Sequence, residues 1–256
     1  MPPERLVREN MGYHESLTEG RNAVLEAFRS GKTVDRLFVL DGCQDGPVKT
    51  ILREAKKQDT MVQYVKKERL DQLSETKNHQ GVIAYCAACE YAEVSDILEN
   101  AKKKGEAPFI VLLDGIEDPH NLGAIIRTAN QAGAHGVIIP KRRAVGLTAT
   151  VARTSAGAVN YTPVAKVTNL VTVMEDLKKE GMWFVCADMD GEEMYSLNLK
   201  GPIGLVIGNE GEGVSRLVKE HCDMVASIPM KGDIDSLNAS VAMGVLAYEI
   251  VRQRRF

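Results

Sequence analysis

Short apolar segments alternate with helical segments along nearly the whole chain, and this alternation constrains the fold more than any other feature. Residues 109–113 form an uninterrupted apolar run, which is typical of a strand buried on both faces of a sheet. Residues 203–207 form a second run of this kind, and amphipathic segments of helical length lie between the strands. The pattern therefore predicts an α/β fold with a mostly parallel sheet and helices on both faces.

The alternation forms two series, which predict two structural units. We expect residues 1–11 to form a flexible tail and residues 12–88 a small α/β domain. Residues 89–107 are expected to form a linker with a connecting helix, and residues 108–256 a larger α/β domain. The small domain should begin with a helix at residues 16–29, because apolar residues recur there with helical spacing and a glycine follows.

Charge and composition limit the classes of partner and compartment. The chain carries 32 lysines and arginines against 35 aspartates and glutamates, a net charge of −3, so no global field attracts it to nucleic acid. Local basic clusters, such as residues 102–104 and 141–143, are usually solvated faces but remain compatible with phosphate contacts. No apolar run reaches the roughly 18 residues of a membrane span, and the charged N-terminus lacks the apolar core of a secretory signal. We therefore expect a cytoplasmic protein that does not contact membranes.

The cysteines indicate neither a disulfide framework nor a metal site. The chain has five cysteines, an odd number, and its start does not resemble a secretory signal. We therefore expect the cysteines to be reduced thiols. Cys86 and Cys89 have the C-x-x-C spacing, but no second pair follows at the distance of a zinc ribbon. We expect them to be small buried hydrophobic side chains, and we predict no metal.

Polar and glycine-rich segments follow three of the predicted strands, at the edge where open α/β sheets bind ligands. In the first segment, Asn121 is expected to cap a helix at residues 121–132, and Gly123 would let another group approach its first turn. Arg127 lies among apolar residues of this helix. Its position is also typical of an amphipathic helix that extends one arginine to solvent.

The second segment is the loop Gly208-Asn209-Glu210-Gly211-Glu212-Gly213, whose glycines let the backbone pass close to a ligand. The loop matches neither the Walker A pattern nor the G-x-G-x-x-G fingerprint, which argues against a dinucleotide-dependent dehydrogenase. Its two glutamates would repel a phosphate. They suit a ligand that is neutral or cationic at this point.

The third segment places Ser236, Asn238 and Ser240 at the start of the last predicted helix, residues 236–252. Capping of the helix explains one of these side chains but not all three. Small residues along the helix would let another helix approach closely, so we expect a packed or dimeric interface there. The helix also has a stripe of residues predicted to be buried, namely Leu237, Val241, Gly244, Val245, Tyr248 and Val251.

Together the three segments resemble the three motifs of the SpoU/TrmH family of RNA ribose 2′-O-methyltransferases, within the SPOUT superfamily. The first match is Asn121-x-Gly-x-x-x-Arg127-x-Ala, and the second is Gly208-Asn209-Glu210-x-x-Gly. The third comprises Ile228-Pro-Met230 and Ser236-Leu237-Asn238-x-Ser. The motifs follow the order and spacing of the family without a departure.

The resemblance implies a catalytic domain whose last part is tied into a deep trefoil knot, an exception to the general absence of knots. It also implies that S-adenosylmethionine (AdoMet) binds among the knot loops and that the protein is a homodimer in which Arg127 completes the site across the interface. The residues expected to hold the cofactor are Gly208, Ile228, Leu237, Asn209 and Met230. The residues expected to be catalytic are Arg127, Asn121, Glu210, Ser236 and Asn238.

The front domain resembles the substrate-binding domain of family members that is similar to kink-turn-binding ribosomal proteins. This two-domain layout is most similar to that of bacterial family members that methylate the ribose of a guanosine in 23S rRNA. The resemblance therefore implies the same reaction for this chain. A tRNA ribose methyltransferase of the same family and a non-catalytic RNA-binding or ribosome-assembly factor are the alternatives. Because a guanidinium titrates above about 12, we expect Arg127 to act as an electrostatic clamp rather than as a base.

Overall fold

The computed structural model describes residues 16–233 and 236–256, so the predicted tail at residues 1–11 lies outside the described residues. In chain order the strands are β1 (Ser16–Glu19), β2 (Val34–Leu40), β3 (Met61–Val65), β4 (Val82–Cys86), β5 (Phe109–Asp114), β6 (Gly136–Pro140), β7 (Val164–Val167), β8 (Trp183–Glu193), β9 (Ile203–Gly208) and β10 (Met224–Ser227). The α-helices are α1 (Arg21–Arg29), α2 (Gly46–Lys57), α3 (Lys67–Leu73), α4 (Val94–Lys104), α5 (Pro119–Gln131), α6 (Ala149–Thr154), α7 (Leu170–Lys179), α8 (Arg216–Glu220) and α9 (Ala239–Arg255). Within the described ranges, no helix is long and apolar enough to cross a membrane.

The N-terminal sheet has the strand order β1-β4-β2-β3, and only β2 and β3 run parallel to each other. The expectation of one helix over residues 16–29 is wrong at its start, because β1 occupies the first four of these residues and α1 begins at Arg21. Gly20 separates the two elements with a φ of 88°, a backbone conformation that favours glycine. Antiparallel pairing of β1 with β4 thus overrides the local helical spacing.

The C-terminal sheet has the strand order β10-β8-β9-β5-β6-β7, and every pairing is parallel. Leu122 of α5 and Met243 of α9 are buried in the core on one face, while Ile97 of α4 and Met174 of α7 are buried on the other. These observations confirm the predicted parallel sheet with helices on both faces. The pattern missed β7, because this strand has only four residues and includes Lys166. The knot stays a prediction, since the strand pairings alone do not trace the threading of the chain.

Helix α5 of the C-terminal domain begins two residues earlier than the sequence predicts. Helix α5 begins at Pro119, and its cap is Asp118, whose side chain accepts from the backbone N–H of His120. Asn121 therefore lies in the first turn, and its amide is free for tertiary contacts. A Cβ at Gly123 would overlap the side chain of Thr154, so this glycine permits close packing against α6 rather than against a ligand.

The buried face of α9 also differs from the predicted stripe. Val241 and Tyr248, both in that stripe, are 49% and 52% exposed, and the buried side chains include Met243, Leu246 and Ile250. The observed face is offset by two residues, which turns a helix by about 200°. Apolar residues occur on both sides of this helix, so periodicity did not identify the side that meets the sheet. The predicted stripe consequently leaves an apolar strip on the surface of the chain.

A buried ionic network joins the two domains. Lys166 Nζ of β7 lies 2.5 Å from Asp35 Oδ1 of β2, and the two side chains are only 14% and 9% exposed. The Tyr91 hydroxyl donates to the same carboxylate at 3.0 Å and accepts from the backbone N–H of Leu147 at 2.9 Å. Lys166 also lies 5.1 Å from the centre of the Tyr91 ring. Because removing one partner would leave a buried charge unpaired, this network strongly favours one relative placement of the two domains.

His135 fixes the start of the central strand β5 and should make stability depend on pH. Nδ1 of its buried ring accepts a hydrogen bond from the backbone N–H of Phe109 at 2.9 Å, and Nε2 lies 3.1 Å from Glu106 Oε2. The neutral ring with its proton on Nε2 satisfies both contacts. Burial, reinforced by Lys104, lowers the pKa of His135 although Glu106 opposes the shift.

We predict that the free energy of unfolding falls as the pH drops through about 6.5, where the unfolded chain protonates this histidine and the folded chain does not. Urea unfolding at a series of pH values should give a shallower pH dependence for His135→Gln than for the wild-type protein. His120→Gln, which removes an exposed histidine, is the matched control and should keep the wild-type dependence. Equal slopes for His135→Gln and the wild-type protein would contradict the prediction.

Candidate active site

The second half of β8 and the polar loops that follow β9 and β10 meet at the carboxyl edge of the C-terminal sheet, together with the start of α9. They enclose a cavity of about 340 Å³, which lies within the size range of small-molecule sites. Apolar side chains and loop backbone form most of its wall, and carboxylates lie at the rim. The lining residues are Ala187, Asp188, Met189, Asp190, Ile207, Gly208, Asn209, Glu210, Gly211, Glu212, Gly213, Ala226, Ile228, Met230, Ser236, Leu237, Ala239 and Ala242.

The Glu210 carboxylate gathers residues from all three sequence motifs. Its Oε1 accepts from Asn121 Nδ2 at 2.5 Å, from Asn238 Nδ2 at 3.0 Å and from the backbone N–H of Ala239 at 3.3 Å. Asn238 Nδ2 also donates to Asn121 Oδ1 at 2.9 Å. Each amide thus has its orientation fixed by the carboxylate. We call Glu210, Asn121 and Asn238 the motif cluster.

The motif cluster is held in place by contacts behind it. Asn238 caps α9, and its Oδ1 accepts from the backbone N–H of Ser240 at 3.0 Å and from the hydroxyl of Ser240 at 2.6 Å. These two bonds fix which way the amide faces, so that its Nδ2 is directed toward Glu210. Asn238 therefore serves both as the cap of α9 and as a member of the motif cluster, and Ser240 fixes its orientation.

The loop after β9 is shaped by its own asparagine. Asn209 Oδ1 accepts from the backbone N–H groups of Gly211 and Glu212, at 2.9 and 2.7 Å. A Cβ at Gly208 would overlap the backbone of Gly213, so the tight return of the loop requires glycine there. The loop consequently presents its backbone to the cavity at close range.

Most of the sequence-predicted site residues lie around this one cavity. All five residues expected to hold the cofactor line it (Gly208, Ile228, Leu237, Asn209 and Met230), as do Glu210 and Ser236. Asn121 and Asn238 join it through the motif cluster. The functional roles of these residues stay predictions.

Sequence reasoning missed the middle of β8 as part of the cavity wall. Asp188 lies there, and Lys219 Nζ is 2.7 Å from its carboxylate. Burial by itself would raise the pKa of Asp188, but hydrogen bonds from Lys219 and from the backbone N–H of Asp190 outweigh it and lower the pKa. The carboxylate is therefore ionised at neutral pH. The available signal was the run of polar residues directly after the apolar strand, the same signal that marked the other three segments.

Arg127 is not brought to the motif cluster of its own chain. It lies six residues after Asn121 on α5, which separates the two Cα atoms by about 9 Å along the axis and turns them about 120° apart. Its side chain is exposed. Gly244 of α9 faces Thr128 of α5, where a Cβ would meet Thr128 Cγ2 at 3.5 Å, so Arg127 lies beside the α5–α9 contact.

A second cavity of about 390 Å³ adjoins the first and shares the β9 loop with it. Its wall is rich in carboxylates, and Arg143 lies 3.7 Å from Glu212 across it. The lining residues are Asp114, Gly115, Glu117, Asp118, Arg143, Asn209, Glu210, Glu212, Gly213 and Ser215. Among the residues that the structure describes, no group of three or more histidine, cysteine or acidic side chains is arranged to hold a metal ion.

Comparison with protein-family models matches both domains. The SpoU rRNA methylase family matches residues 108–248, and the substrate-binding domain of RNA 2′-O ribose methyltransferases matches residues 17–92. A Bacillus subtilis protein named as a TrmH family tRNA/rRNA methyltransferase, YacO, is 49% identical over 237 residues, which are 92% of this chain and 94% of YacO.

Solved structures agree with these matches. The SpoU methyltransferase AviRb of Streptomyces viridochromogenes, in complex with AdoMet, aligns with 98% of this chain and 95% of its own at 27% identity and a TM-score of 0.60. An AdoMet-bound rRNA methyltransferase of Sinorhizobium meliloti aligns with 92% of this chain and 86% of its own, at 25% identity and a TM-score of 0.58. The TrmH/SpoU tRNA-modifying enzyme of A. aeolicus aligns with 62% of this chain and 84% of its own, at 28% identity and a TM-score of 0.54. The three ordered motifs, the two matched domains and this likeness over the whole length show that the chain belongs to the SpoU/TrmH family of RNA 2′-O-ribose methyltransferases.

Proposed function

We propose that this chain transfers a methyl group from AdoMet to the 2′-hydroxyl of a guanosine in 23S rRNA. The observation that carries the proposal is the motif cluster at the rim of the cavity, where Glu210 Oε1 accepts from the side chains of Asn121 and Asn238. A non-catalytic RNA-binding factor would have no use for these amides, which are oriented toward one point at the mouth of a ligand-sized cavity.

The cavity fits AdoMet in shape and charge. The Gly208–Gly213 turn brings backbone close to the interior, and Ile228, Leu237 and Ala242 provide an apolar wall suited to the adenine ring. Asp188 and Glu210 at the rim suit a ligand that carries positive charge. When bound, AdoMet would supply a methyl group whose carbon–sulfur bond breaks as the oxygen–carbon bond forms, so that neutral S-adenosylhomocysteine leaves without a proton donor and the proton of the ribose hydroxyl passes to solvent.

The chain's own residues would hold the ribose and stabilise charge on it. The motif cluster holds the Glu210 carboxylate and the Asn121 amide at fixed positions, which would orient the hydroxyl and so supply the entropic part of catalysis. Ser236 adds a hydroxyl at the same cavity. Arg127 stabilises the charge that develops on the ribose oxygen, or the adjacent phosphate, since its guanidinium stays protonated and offers a fork of donors.

Arg127 would reach this site from a second copy of the chain. Six residues separate it from Asn121 on one helix, so a single chain presents the two side chains in different directions. The half-exposed Val241 and Tyr248 of α9 leave an apolar strip beside α5 that a second copy can cover. We therefore propose a homodimer whose two sites each combine the motif cluster of one protomer with the Arg127 of the other.

The two-domain alignment supports an rRNA substrate. The S. meliloti rRNA methyltransferase aligns with 92% of this chain, whereas the A. aeolicus tRNA-modifying enzyme aligns with 62% of it. A tRNA substrate is the second candidate, because the name of YacO includes both RNA classes. The acidic second cavity suits guanosine, because the N1–H and N2–H2 donors of its base lie side by side and can both bind one carboxylate, such as that of Asp118.

The test of the proposal is methyl transfer from labelled AdoMet to total rRNA and total tRNA from a strain that lacks this protein, followed by nucleoside analysis. We expect the label as 2′-O-methylguanosine in large-subunit rRNA. Label in tRNA, or on another nucleoside, would keep the chemistry and overturn the proposed substrate. Absence of label, together with measured binding of AdoMet, would favour a non-catalytic factor over an enzyme acting on mature RNA.

Glu210→Ala should lower kcat by about 100-fold, the loss typical of a reacting group misplaced by about 1 Å. The substitution removes the acceptor that orients Asn121 and Asn238. The loss would be measured as the single-turnover rate of methyl transfer at saturating AdoMet. Glu220→Ala, an exposed glutamate on α8 that pairs only weakly with Arg216 at 3.6 Å, is the control and should retain the wild-type rate. A normal rate for Glu210→Ala would exclude an orienting role for the motif cluster.

Mixing two inactive variants tests the shared site. Arg127→Ala and Glu210→Ala should each be nearly inactive alone. After the subunits exchange, half of the dimers are mixed and one of their two sites is complete, so we expect about a quarter of the wild-type activity. If Arg127 serves its own chain, no activity returns. Retention of near-full turnover by Arg127→Lys with unchanged RNA binding would separately exclude a need for the guanidinium fork.

A further inference from the structure

A cavity of about 260 Å³ lies between the two domains, outside the site described above. The N-terminal domain contributes β2, β4 and α3 to its wall, and the catalytic domain contributes the segments after β5 and β6. Its size, slightly below that of sites for whole small molecules, suits a single nucleobase. The lining residues are Asp35, Arg36, Phe38, Arg69, Leu73, Tyr85, Cys86, Glu117, Val145, Gly146 and Thr148. We call it the interdomain cleft.

The two walls of the interdomain cleft are held at a fixed distance. Asp35 lies at its base, where Lys166 and Tyr91 bind the carboxylate. A Cβ at Gly146 would overlap this carboxylate, so the β6–α6 loop packs directly on the N-terminal domain. Arg36 Nη2 reaches the carbonyl oxygen of Ala144 in the same loop at 3.4 Å. The cleft therefore exists in the folded chain before any ligand arrives.

The chemistry of the interdomain cleft suits RNA. Lys166 neutralises Asp35, which leaves Arg36, Arg69 and the exposed Glu117 as the charged side chains of the cleft wall. Aromatic surface lies beside them, because Tyr85 packs edge-to-face on Phe38 with ring centres 5.8 Å apart. Arginines that bind phosphate or stack, together with an aromatic ring, are the usual means by which proteins hold an unpaired base.

The interdomain cleft also communicates with the active site. Glu117 lines both the cleft and the acidic cavity that contains Glu210. The backbone N–H of Val145 donates to the carbonyl oxygen of Ile116 at 3.0 Å, which ties the two loops of the catalytic wall together. An RNA strand whose target ribose lies at Glu210 would thus have its neighbouring nucleotide next to the cleft.

We propose that the interdomain cleft binds the base of an unpaired nucleotide that adjoins the methylated one in the RNA substrate. The base stacks against Tyr85, Arg36 and Arg69 hold the phosphates around it, and Glu117 accepts from its amino or imino group. The proposal rests on the proposed function only in requiring an RNA substrate. The junction of the two domains would then contribute to recognition of the RNA substrate.

The test combines protein variants with altered RNA. The substrate is a fragment of whichever RNA the wild-type protein methylates, made with an abasic site at one position beside the target at a time. Tyr85→Ala and the abasic site should each weaken RNA binding roughly tenfold. Combining them should weaken binding no further, because both remove the same stacking contact. Tyr85→Phe keeps the ring and should restore binding and its sensitivity to the abasic site. Tyr64, a 58% exposed tyrosine of the same sheet, provides the control: Tyr64→Ala should leave the effect of the abasic site unchanged.

Arg69→Ala provides a second measurement that does not depend on the half-buried tyrosine. Arg69 is exposed, and its guanidinium donates to the exposed side chain of Gln72 at 3.3 Å, so we expect its removal to leave the fold intact. It should weaken RNA binding about tenfold with unchanged AdoMet binding, while Arg53→Ala on α2 changes RNA binding much less. Two outcomes would overturn the proposal. One is that the losses of RNA affinity caused by Tyr85→Ala and by the abasic site multiply at every flanking position. The other is that Arg69→Ala and Arg53→Ala weaken RNA binding equally. Methylation of tRNA instead of rRNA would overturn only the substrate assigned under the proposed function, since the same comparison then runs on tRNA.

Discussion

The position of β9 between β5 and β8 is the constraint on which the candidate site depends. In a parallel sheet all carboxyl ends lie at one edge, so this order places the loops after three neighbouring strands side by side. Glu210, from the β9 loop, then meets Asn121, which is 89 residues away in the sequence, and Asn238 at the start of the last helix. The central strands are fully buried, and the apolar contacts that hold them in register therefore also hold the motif cluster together.

A second constraint operates between the domains. The Asp35–Lys166–Tyr91 network places two charges and a hydroxyl out of water, and such a group gives little net stability compared with well-packed apolar side chains. Its value lies in specificity, since any other placement of the domains leaves a buried charge without a partner. The N-terminal domain is thereby held against the β6–α6 loop, and the RNA-facing surfaces of both domains keep one relative position. An RNA 2′-O-ribose methyltransferase must select one ribose in a folded RNA, and a fixed spacing of its domains favours such selection.

Much of the fold followed from the sequence because its elements are strongly patterned. Uninterrupted apolar runs identified the central strands, and glycine-rich or polar segments after them identified the edge at which the site lies. The errors share one cause. At residues 16–19, at β7 and on the two faces of α9, the local spacing was compatible with more than one structure, and contacts distant in the sequence decided between them.

The sequence by itself determined the α/β class, the three motifs and most of the residues around the cavity, because these depend on residue types at short spacing. Only the tertiary structure decided that Asn121 lies within its helix and bonds Glu210, that Asp188 belongs to the cavity wall, and that Arg127 is exposed beside the α5–α9 contact. It alone also formed the interdomain cleft, whose walls come from five separate segments between residues 35 and 148. The physical reason is that hydrogen bonds and burial between distant segments depend on the register and packing of whole elements, which no local pattern contains.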